Sequence, residues 1–352
     1  MLAKDELLDR VVDRVRDQMP EDRASQAEEF VRQYYSWIPR EDLEGRSTVD
    51  LYGAAMAHFS FAFVRAAGEP KIRVYNPVYE EHGWQSTHTV LEIVTDDMPF
   101  LVDSTRMEVN ARGFAIHLML HPIMKVRRDD EGRIAEVLPA GSEDALSESV
   151  IHVEVDRQTE TEVLDELLGC TERVLNQVRA AVEDWPAMVE AVREIEAGFE
   201  ENPPPIGDED LAEARAFLDW IADNNFTFLG YREYELTTEN GEDALMSVEG
   251  TGLGILRQAG GRPASRSFAK LPAEVRQMAR KPTLLNLTKA NSRSTVHRPS
   301  YMDYVGVKQF DENDEPIGER RFLGLYTFSA YSMSAFDIPI VRRKVRYVLE
   351  QA

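Results

Sequence analysis

The fold of this chain is decided between Thr89 and Arg128 by the stretch TVLEIVTDDMPFLVDSTRMEVNARGFAIHLMLHPIMKVRR. The run 89–94 is β-branched and apolar apart from one acidic residue, which is typical of a strand. The acidic turn 96–99 breaks the strand, and its proline suits a first helical turn because the missing N–H costs nothing there. Apolar residues then recur at helical spacing as far as Gly113, and a second apolar strand follows within 114–126.

This strand–helix–strand unit is typical of one half of a ferredoxin-like sandwich. A strand at 149–155 and an amphipathic helix at 161–182 continue the same order, which then lacks only its last strand. The short strand 71–76, or a partner chain, can fill the missing place. The pattern therefore predicts a ferredoxin-like domain over residues 69–200.

The regions on either side of this domain have a different character. Apolar residues at helical spacing predict a helical N-terminal module over residues 1–68. The run ENPPPIGDE at 201–209 predicts a linker, because consecutive prolines force an extended path. Beyond the linker, a helix and several strands predict a mainly antiparallel α+β domain over residues 201–352. The predicted fold class is thus α+β, in three parts.

Composition and charge exclude several classes of function. The net charge of -23 argues against binding to nucleic acid or to anionic membrane surfaces, because both would repel the chain. The single cysteine, Cys170, excludes an internal disulfide framework and is typical of a reducing compartment. Residues 1–19 lack the apolar core of a signal peptide, and no apolar run approaches membrane-spanning length. We therefore expect a cytoplasmic protein.

Several segments of the chain stand out together and in order. They are TDDMPFLVDS with the following GFAIHLMLHPIMKVRRD, NNFTFLGYREYEL, LTKANSRSTVHRPSYMDYVGVK and GERRFLGLYTFSAY. Taken together, they resemble the large NAD-specific glutamate dehydrogenases of bacteria. The resemblance extends over most of the chain, which makes it specific.

The resemblance implies that the chain is the N-terminal regulatory part of such an enzyme, with the catalytic part elsewhere. In that family this part resembles an ACT-like domain followed by a PAS-like domain, and the enzyme assembles from identical subunits. The implied partners are therefore the rest of the parent chain and identical subunits. The implied reaction of the parent chain is oxidation of glutamate to 2-oxoglutarate and ammonia with NAD. We expect neither catalytic residues nor a cofactor in this segment.

The turn between the first strand and the first helix is the first candidate site. ACT-like domains bind small amino acids there, where helix N–H groups can meet a carboxylate and the aspartates can meet an ammonium. Phe100 stands where many ACT domains place glycine. Capping of the helix by Asp96 or Asp97, with simple packing, is the favoured alternative. The candidate ligand-binding residues are Asp96, Asp97, Met98, Pro99, Phe100, Leu101 and Asp103.

A polar loop supplies the second candidate site, through Arg293, Ser294, His297 and Arg298. This loop could bind an anion or contact another subunit, and a polar interface loop is our leading interpretation. A nucleophilic role for Ser294 would need His297 as a base, itself oriented by a third group.

Three other features favour structural roles. His117 and His121 share one face of a strand, but no cysteine or third histidine lies near them in sequence, so we predict hydrogen-bonded histidines and no metal site. The run 250–254, GTGLG, has Ile255 where a dinucleotide fingerprint needs its third glycine, which favours a turn. Cys170 lies on an amphipathic helix and is expected to pack inertly.

The sequence therefore predicts a regulatory and assembly segment that senses a small metabolite, with an amino acid as the expected effector, or that makes subunit contacts. Two alternatives remain. One is an oligomerisation scaffold that senses nothing, and the other is an independent hydrolytic enzyme that uses Ser294 and His297.

Overall fold

The computed structural model describes residues 4–43, 45–239, 242–257 and 283–351. The chain forms two compact units, residues 1–176 (unit 1) and 177–352 (unit 2), and the division falls inside a long helix. Each unit combines helices with an antiparallel sheet, so the predicted α+β class is confirmed. The predicted domain boundaries near residues 68 and 200 stay predictions.

Along the chain, some helices of unit 1 precede its first strand and others lie between its strands or after them. The helices are α1 (Lys4–Gln18), α2 (Glu21–Tyr34), α3 (Arg40–Leu43), α4 (Thr48–Ala62), α5 (Tyr79–His82), α6 (Leu101–Ala111) and the first part of α7 (Thr161–Glu183). The strands are β1 (Lys71–Tyr75), β2 (Thr89–Asp96), β3 (Ile116–Leu120), β4 (Ile123–Arg128), β5 (Ile134–Leu138) and β6 (Leu146–Val155).

The sheet of unit 1 runs in the order β1-β2-β6-β4-β5, and β3 pairs with β6 in line with β4. Strand β1 lies antiparallel to β2, at the place of the missing last strand of a ferredoxin-like sheet. The prediction that the strand near Lys71 can fill this place is therefore confirmed. Strand β5 was not predicted, and it extends the sheet through a hairpin with β4.

The N-terminal helices share one hydrophobic core with this sheet. Helix α1 buries Leu8, Val11, Val12 and Val15, whose spacing gives the helix one apolar face. Phe30 of α2 and Phe59 of α4 belong to the same buried cluster as Met124 and Val150 of the sheet. The helical residues predicted as a module therefore pack directly on one face of the sheet.

Unit 2 contains the rest of α7 and a second antiparallel sheet. Its helices are α8 (Trp185–Glu201), α9 (Asp208–Trp220), α10 (Phe328–Ser332) and α11 (Val341–Gln351), and a kinked turn (Ile221–Asn225) follows α9. The strands are β7 (Phe226–Glu239), β8 (Glu242–Ser247), β9 (Leu253–Gly254), β10 (Leu285–Arg293), β11 (Tyr301–Phe310) and β12 (Pro316–Tyr326). They pair in the order β10-β11-β12-β7-β8, with β9 beside β7.

Unit 2 agrees with the predicted antiparallel α+β arrangement, and its likeness to a PAS domain stays a prediction. Apolar residues of α8 and α9 form its core with β7, β11 and β12. The predicted hairpin turn at 311–314 joins β11 to β12, where the Asp311 carboxylate accepts the backbone N–H groups of Asn313 and Glu315. Among the helices of the described ranges, none has the length and apolar character that crossing a bilayer requires.

The turn between β4 and β5 closely approaches the backbone that follows α4, and glycine substitutions can test this contact. Gly132 has φ +75°, and a Cβ there would lie 2.3 Å from the carbonyl oxygen of Arg65. Gly113 has a similar φ, +81°, with open space around it. We expect Gly113→Ala to lower the free energy of unfolding by about 1–2 kcal/mol through backbone strain alone. Gly132→Ala should lose about 1–3 kcal/mol more through the clash.

Urea unfolding followed by circular dichroism measures both variants. Equal losses for the two variants would contradict the close approach of this turn to Arg65.

Candidate functional site

A cavity of about 800 Å³ opens in unit 1 beside α4. Its walls come from the residues between α3 and the middle of α4, from the segment 77–88 that connects β1 to β2, and from β3 and β6. The volume lies in the range of roughly 300–1,000 Å³ that is usual for small-molecule sites. The segment 77–88 carries the buried Trp84, which packs beside Ala54 of α4 and Val90 of β2.

One wall of the cavity is a charged cluster around Glu154. Arg46 donates to both carboxylate oxygens, at 2.6 and 2.8 Å, and Nδ1 of His88 lies 3.2 Å from Oε2. Arg157 and Asp50 also line the cavity. The wall thus offers both cationic and anionic groups to a ligand.

A second ionic cluster lies behind this wall, on the same face of the sheet. Glu92 of β2 and His152 of β6 are opposite each other in the strand register. Glu92 accepts hydrogen bonds from Arg73 Nε at 2.6 Å and Tyr75 Oη at 3.1 Å. Nε2 of His152 lies 3.4 Å from Oε1 of Glu154, so the two clusters form one network.

Strand alternation explains why these polar groups are buried. Residues 90, 92 and 94 of β2 point to the face that the N-terminal helices cover, as do residues 150, 152 and 154 of β6. Glu92, His152 and Glu154 are each at most 1% exposed. Sequence reasoning missed them as site residues, although ionisable residues that interrupt the apolar runs 90–94 and 150–155 were the available signal.

His58 of α4 completes the buried cluster. Its Nδ1 lies 3.1 Å from Tyr34 Oη, and its ring centroid is 6.2 Å from that of His152. Metal-binding atoms of His58, Glu92 and His152, one from each residue, all lie within 4.8 Å of one another. Histidine and carboxylate ligands of this kind suit a transition metal.

The protonation of this cluster follows from burial and from the neighbouring charges. Burial lowers the pKa of His58 to about 4. Burial alone would raise the pKa of Glu92, but His58, His152 and Arg73 hold it at about 2. Burial opposes the charge of His152 too, yet the neighbouring carboxylates of Glu154 and Glu92 raise its pKa. The pKa of Glu154 is well below its usual range, because hydrogen bonds from His152 and Arg46 outweigh its burial.

The predicted turn 96–103 has its acidic side chains bonded within unit 1. Asp97 accepts a hydrogen bond from Ser149 Oγ at 2.6 Å, and Asp103 forms an ion pair with Arg106 at 2.9 Å. Helix α6 begins after Phe100, which has φ +75° and whose own side chain makes no capping hydrogen bond. The capping of the helix by Asp96 or Asp97 stays a prediction. Met98 is half-buried, Pro99 is exposed and Leu101 is buried.

Asp96 belongs to a separate ionic group, formed with Arg65, Arg128 and Glu148. Arg65, 3% exposed, donates to Asp96 Oδ1 at 2.6 Å and to Glu148 Oε1 at 2.7 Å. Arg128 donates to both carboxylate oxygens of Glu148, each at 2.7 Å. This group joins the residues after α4 to β2, β4 and β6. The role of the turn as a ligand site stays a prediction.

The polar loop 293–298 follows β10 in unit 2. The hydroxyl of Ser294 is buried and donates to the carbonyl of Val296 at 2.7 Å. Arg298 donates to the carbonyl of Tyr326 at 2.6 Å, and Arg293 lies over the ring of Tyr301 at 5.2 Å. His297 has φ +73°. These contacts hold the loop against the end of the sheet, and its anion-binding or interface role stays a prediction.

The predicted hydrogen bonds of His117 and His121 and the predicted turn at 250–254 are confirmed, while the absence of a metal site there and the inertness of Cys170 stay predictions. His117 Nε2 lies 2.7 Å from Asp156, and His121 Nε2 lies 2.9 Å from Ser149 Oγ, so both histidines are hydrogen-bonded on the sheet. The run 250–254 forms a turn and the short strand β9, followed by a further turn. Cys170 is buried in α7, where its sulfur contacts Arg112.

The chain matches known proteins over nearly all its length. The sequence model for the ACT1 domain of glutamate dehydrogenase matches residues 30–169. An NAD-specific glutamate dehydrogenase of Halomonas elongata is 38% identical over 99% of this chain, and one of Pseudomonas aeruginosa is 38% identical over 92%. One of Mycobacterium tuberculosis is 26% identical over 95% of this chain.

This chain covers 22%, 20% and 19% of those three relatives, so it spans about a fifth of their length. The resemblance seen in the sequence is confirmed by these matches, and so is the ACT-like character of the region around the sheet of unit 1.

The ionic group around Arg65 gives a stability prediction. We expect Arg65→Met to lower the free energy of unfolding by about 3 kcal/mol, because the change leaves buried carboxylates with too few partners. Arg133, on the exposed hairpin, pairs with Asp129 at 2.9 Å. Arg133→Met should change stability by less than about 1 kcal/mol. Denaturant unfolding of the two variants measures the difference, and a similar small loss in both would contradict the proposed importance of the buried group.

The buried His58 gives a pH prediction. Its pKa is lower in the folded chain, about 4, than the ordinary 6.5. The unfolded chain therefore takes up a proton first, so stability that is present above about pH 6.5 is lost as the pH falls towards 4. We expect His58→Gln to flatten the pH dependence of the melting temperature in this window, measured in a chelating buffer. His117→Gln, which changes an exposed histidine, is the control, and an unchanged slope in His58→Gln would refute the assignment.

Proposed function

We propose that this chain, which corresponds to the N-terminal part of the NAD-specific glutamate dehydrogenases, is the regulatory segment of such an enzyme and binds a small amino acid in the cavity of unit 1. The parent protein would oxidise glutamate to 2-oxoglutarate and ammonia with NAD, by analogy with the NAD-specific glutamate dehydrogenases that the chain resembles. The segment itself would bind the effector without catalysing a reaction.

The cavity is the observation that carries this proposal. All the residues that line it lie between 35 and 157, inside the region that matches the ACT1 domain. Arg46, His88 and Arg157 can meet a carboxylate, while Glu154 and Asp50 can meet an ammonium. This pairing of charges suits a free amino acid better than a dianion or an apolar molecule.

The cavity is also placed to transmit binding. Arg46 stands just before α4 and is bonded to Glu154 of β6. A ligand carboxylate that bonds to Arg46 competes with Glu154, so it changes the contact between the helices and the sheet. Such a differential contact is what a regulatory ligand requires to shift an equilibrium.

A second candidate function is subunit assembly, and the surface of unit 2 favours it. Phe328, Tyr331 and Tyr347 are large apolar residues that are 83%, 63% and 65% exposed. Exposed apolar groups of this kind are typical of surfaces that contact another chain. The rest of the parent chain or an identical subunit would cover them.

A thermal-shift screen against free amino acids, 2-oxoglutarate and nucleotides tests the proposal. A ligand that binds only the folded chain raises the melting temperature, and saturation at about 100 times Kd stabilises by about 2.7 kcal/mol. We expect one amino acid to raise the melting temperature of the wild type and of Asp97→Ala, but not that of Arg157→Ala.

Asp97→Ala and Arg157→Ala distinguish a ligand in the turn 96–103 from a ligand in the cavity. A shift that is lost in Asp97→Ala and kept in Arg157→Ala would place the ligand in the turn 96–103 instead of the cavity. The absence of a shift with any of these ligands would favour the assembly scaffold.

A further inference from the structure

Three side chains from three different elements converge beneath the N-terminal helices. His58 comes from α4, Glu92 from β2 and His152 from β6, and all three are at most 1% exposed. One metal-binding atom of each lies within 4.8 Å of those of the other two. No other group of three metal-type side chains this close together occurs in the described ranges.

Each of the two imidazole rings has one nitrogen without a hydrogen-bond partner among the described residues. These are Nε2 of His58 and Nδ1 of His152, and both atoms are fully buried. Nδ1 of His152 lies 3.6 Å from Oε1 of Glu92, which is beyond hydrogen-bond distance. A buried polar atom without a partner costs about 1–3 kcal/mol, so two of them beside one carboxylate require an explanation.

The other nitrogen of each ring is bonded to a group that can orient the ring. Nδ1 of His58 meets Tyr34 Oη at 3.1 Å, and Nε2 of His152 meets Glu154 Oε1 at 3.4 Å. A histidine that binds a metal through one nitrogen almost always uses the other in this way, often with a carboxylate. Glu92 is held in place by Arg73 and Tyr75.

We propose that His58, Glu92 and His152 bind a divalent transition-metal ion, for which Zn²⁺ is the best fit. Two imidazole nitrogens and one carboxylate oxygen are ligands that zinc accepts, and three protein ligands leave a fourth position for water or a ligand. The metal satisfies both unpartnered nitrogens and fixes α4 to the sheet through β2 and β6.

The proposed metal site adjoins the cavity through His152. His152 and Glu154 belong to the cavity wall, together with Trp84, whereas His58 and Glu92 do not. Metal binding does not depend on the proposed amino-acid ligand.

The competing arrangement is a protonated His152 that bridges Glu92 and Glu154 with no metal. Two arginines and two glutamates around it already cancel, so a protonated His152 leaves one net positive charge, and Zn²⁺ with two neutral imidazoles leaves two. The competing arrangement leaves Nε2 of His58 without a partner, and it needs the 3.6 Å separation from Glu92 to shorten. The metal accounts for both atoms at once.

Metal content of the chain tests the proposal directly. The chain is incubated with ZnCl₂, dialysed against metal-free buffer and analysed by inductively coupled plasma mass spectrometry, which also reports iron, manganese and copper. We expect about one zinc ion per folded chain. Loading the wild-type chain with CoCl₂ instead of ZnCl₂ should give the visible absorption bands of four-coordinate Co²⁺. This measurement needs no amino-acid substitution.

Variants locate the ion. His58→Ala and His152→Ala should lose it, and Glu154→Gln should weaken zinc binding by about 10–100-fold through the loss of its bond to His152. His117→Ala is the matched control, because His117 is an exposed histidine of the same unit that lies beside His88 and Asp156. The control should keep the ion.

Three results would overturn the proposal. The first is that the folded wild-type chain retains no divalent metal. The second is that zinc stays in His58→Ala but is lost in His117→Ala. The third is that the Co²⁺ spectrum is that of a six-coordinate, loosely bound ion. If the alanine variants do not fold, the wild-type stoichiometry and the Co²⁺ spectrum still decide.

Discussion

Two buried carboxylates, Glu92 and Glu154, determine how unit 1 is assembled. Removing an ionised carboxylate from water costs several kcal/mol, so each must find a cation inside the fold. Arg73 reaches Glu92 from β1, and Arg46 reaches Glu154 from the residues before α4. Each ion pair therefore fixes a separate segment of the chain on the same face of the sheet. This requirement explains why the helical residues share one core with the sheet.

The same face of β6 repeats this arrangement at its other end. Glu148 is buried there and is bonded to Arg65 and Arg128, while the apolar Val150 lies between it and His152. The N-terminal helices are thus held by ion pairs at both ends of the strand and by apolar packing in the middle. Breaking a pair at one end leaves the other in place. A ligand that competes for Arg46 can therefore alter the cavity end of the helices without unfolding them.

The sequence predicted strands correctly where apolar and β-branched residues form a continuous run. The β-branched run of β2 and the strand β6 were both predicted, and the place of β1 beside β2 was one of two arrangements that the sequence left open. The backbone of Phe100 was not predicted, because its φ of +75° is a conformation that an L side chain rarely takes and that only its packed surroundings can impose. Strand β5 was missed because its five residues are short and partly exposed.

The sequence by itself determined the α+β class, the antiparallel sheets and the resemblance to the NAD-specific glutamate dehydrogenases, because periodic apolar residues and long matching segments are properties of the chain in order. Only the tertiary structure decided which polar residues meet. His58 and His152 are far apart in sequence, and their proximity depends on how α4 lies on the sheet. Glu92 was visible as one acidic residue in an apolar strand, but strand alternation does not say whether the face it occupies is open to water or covered. Because the N-terminal helices cover that face, Glu92 is a buried ion, and the candidate site forms around it.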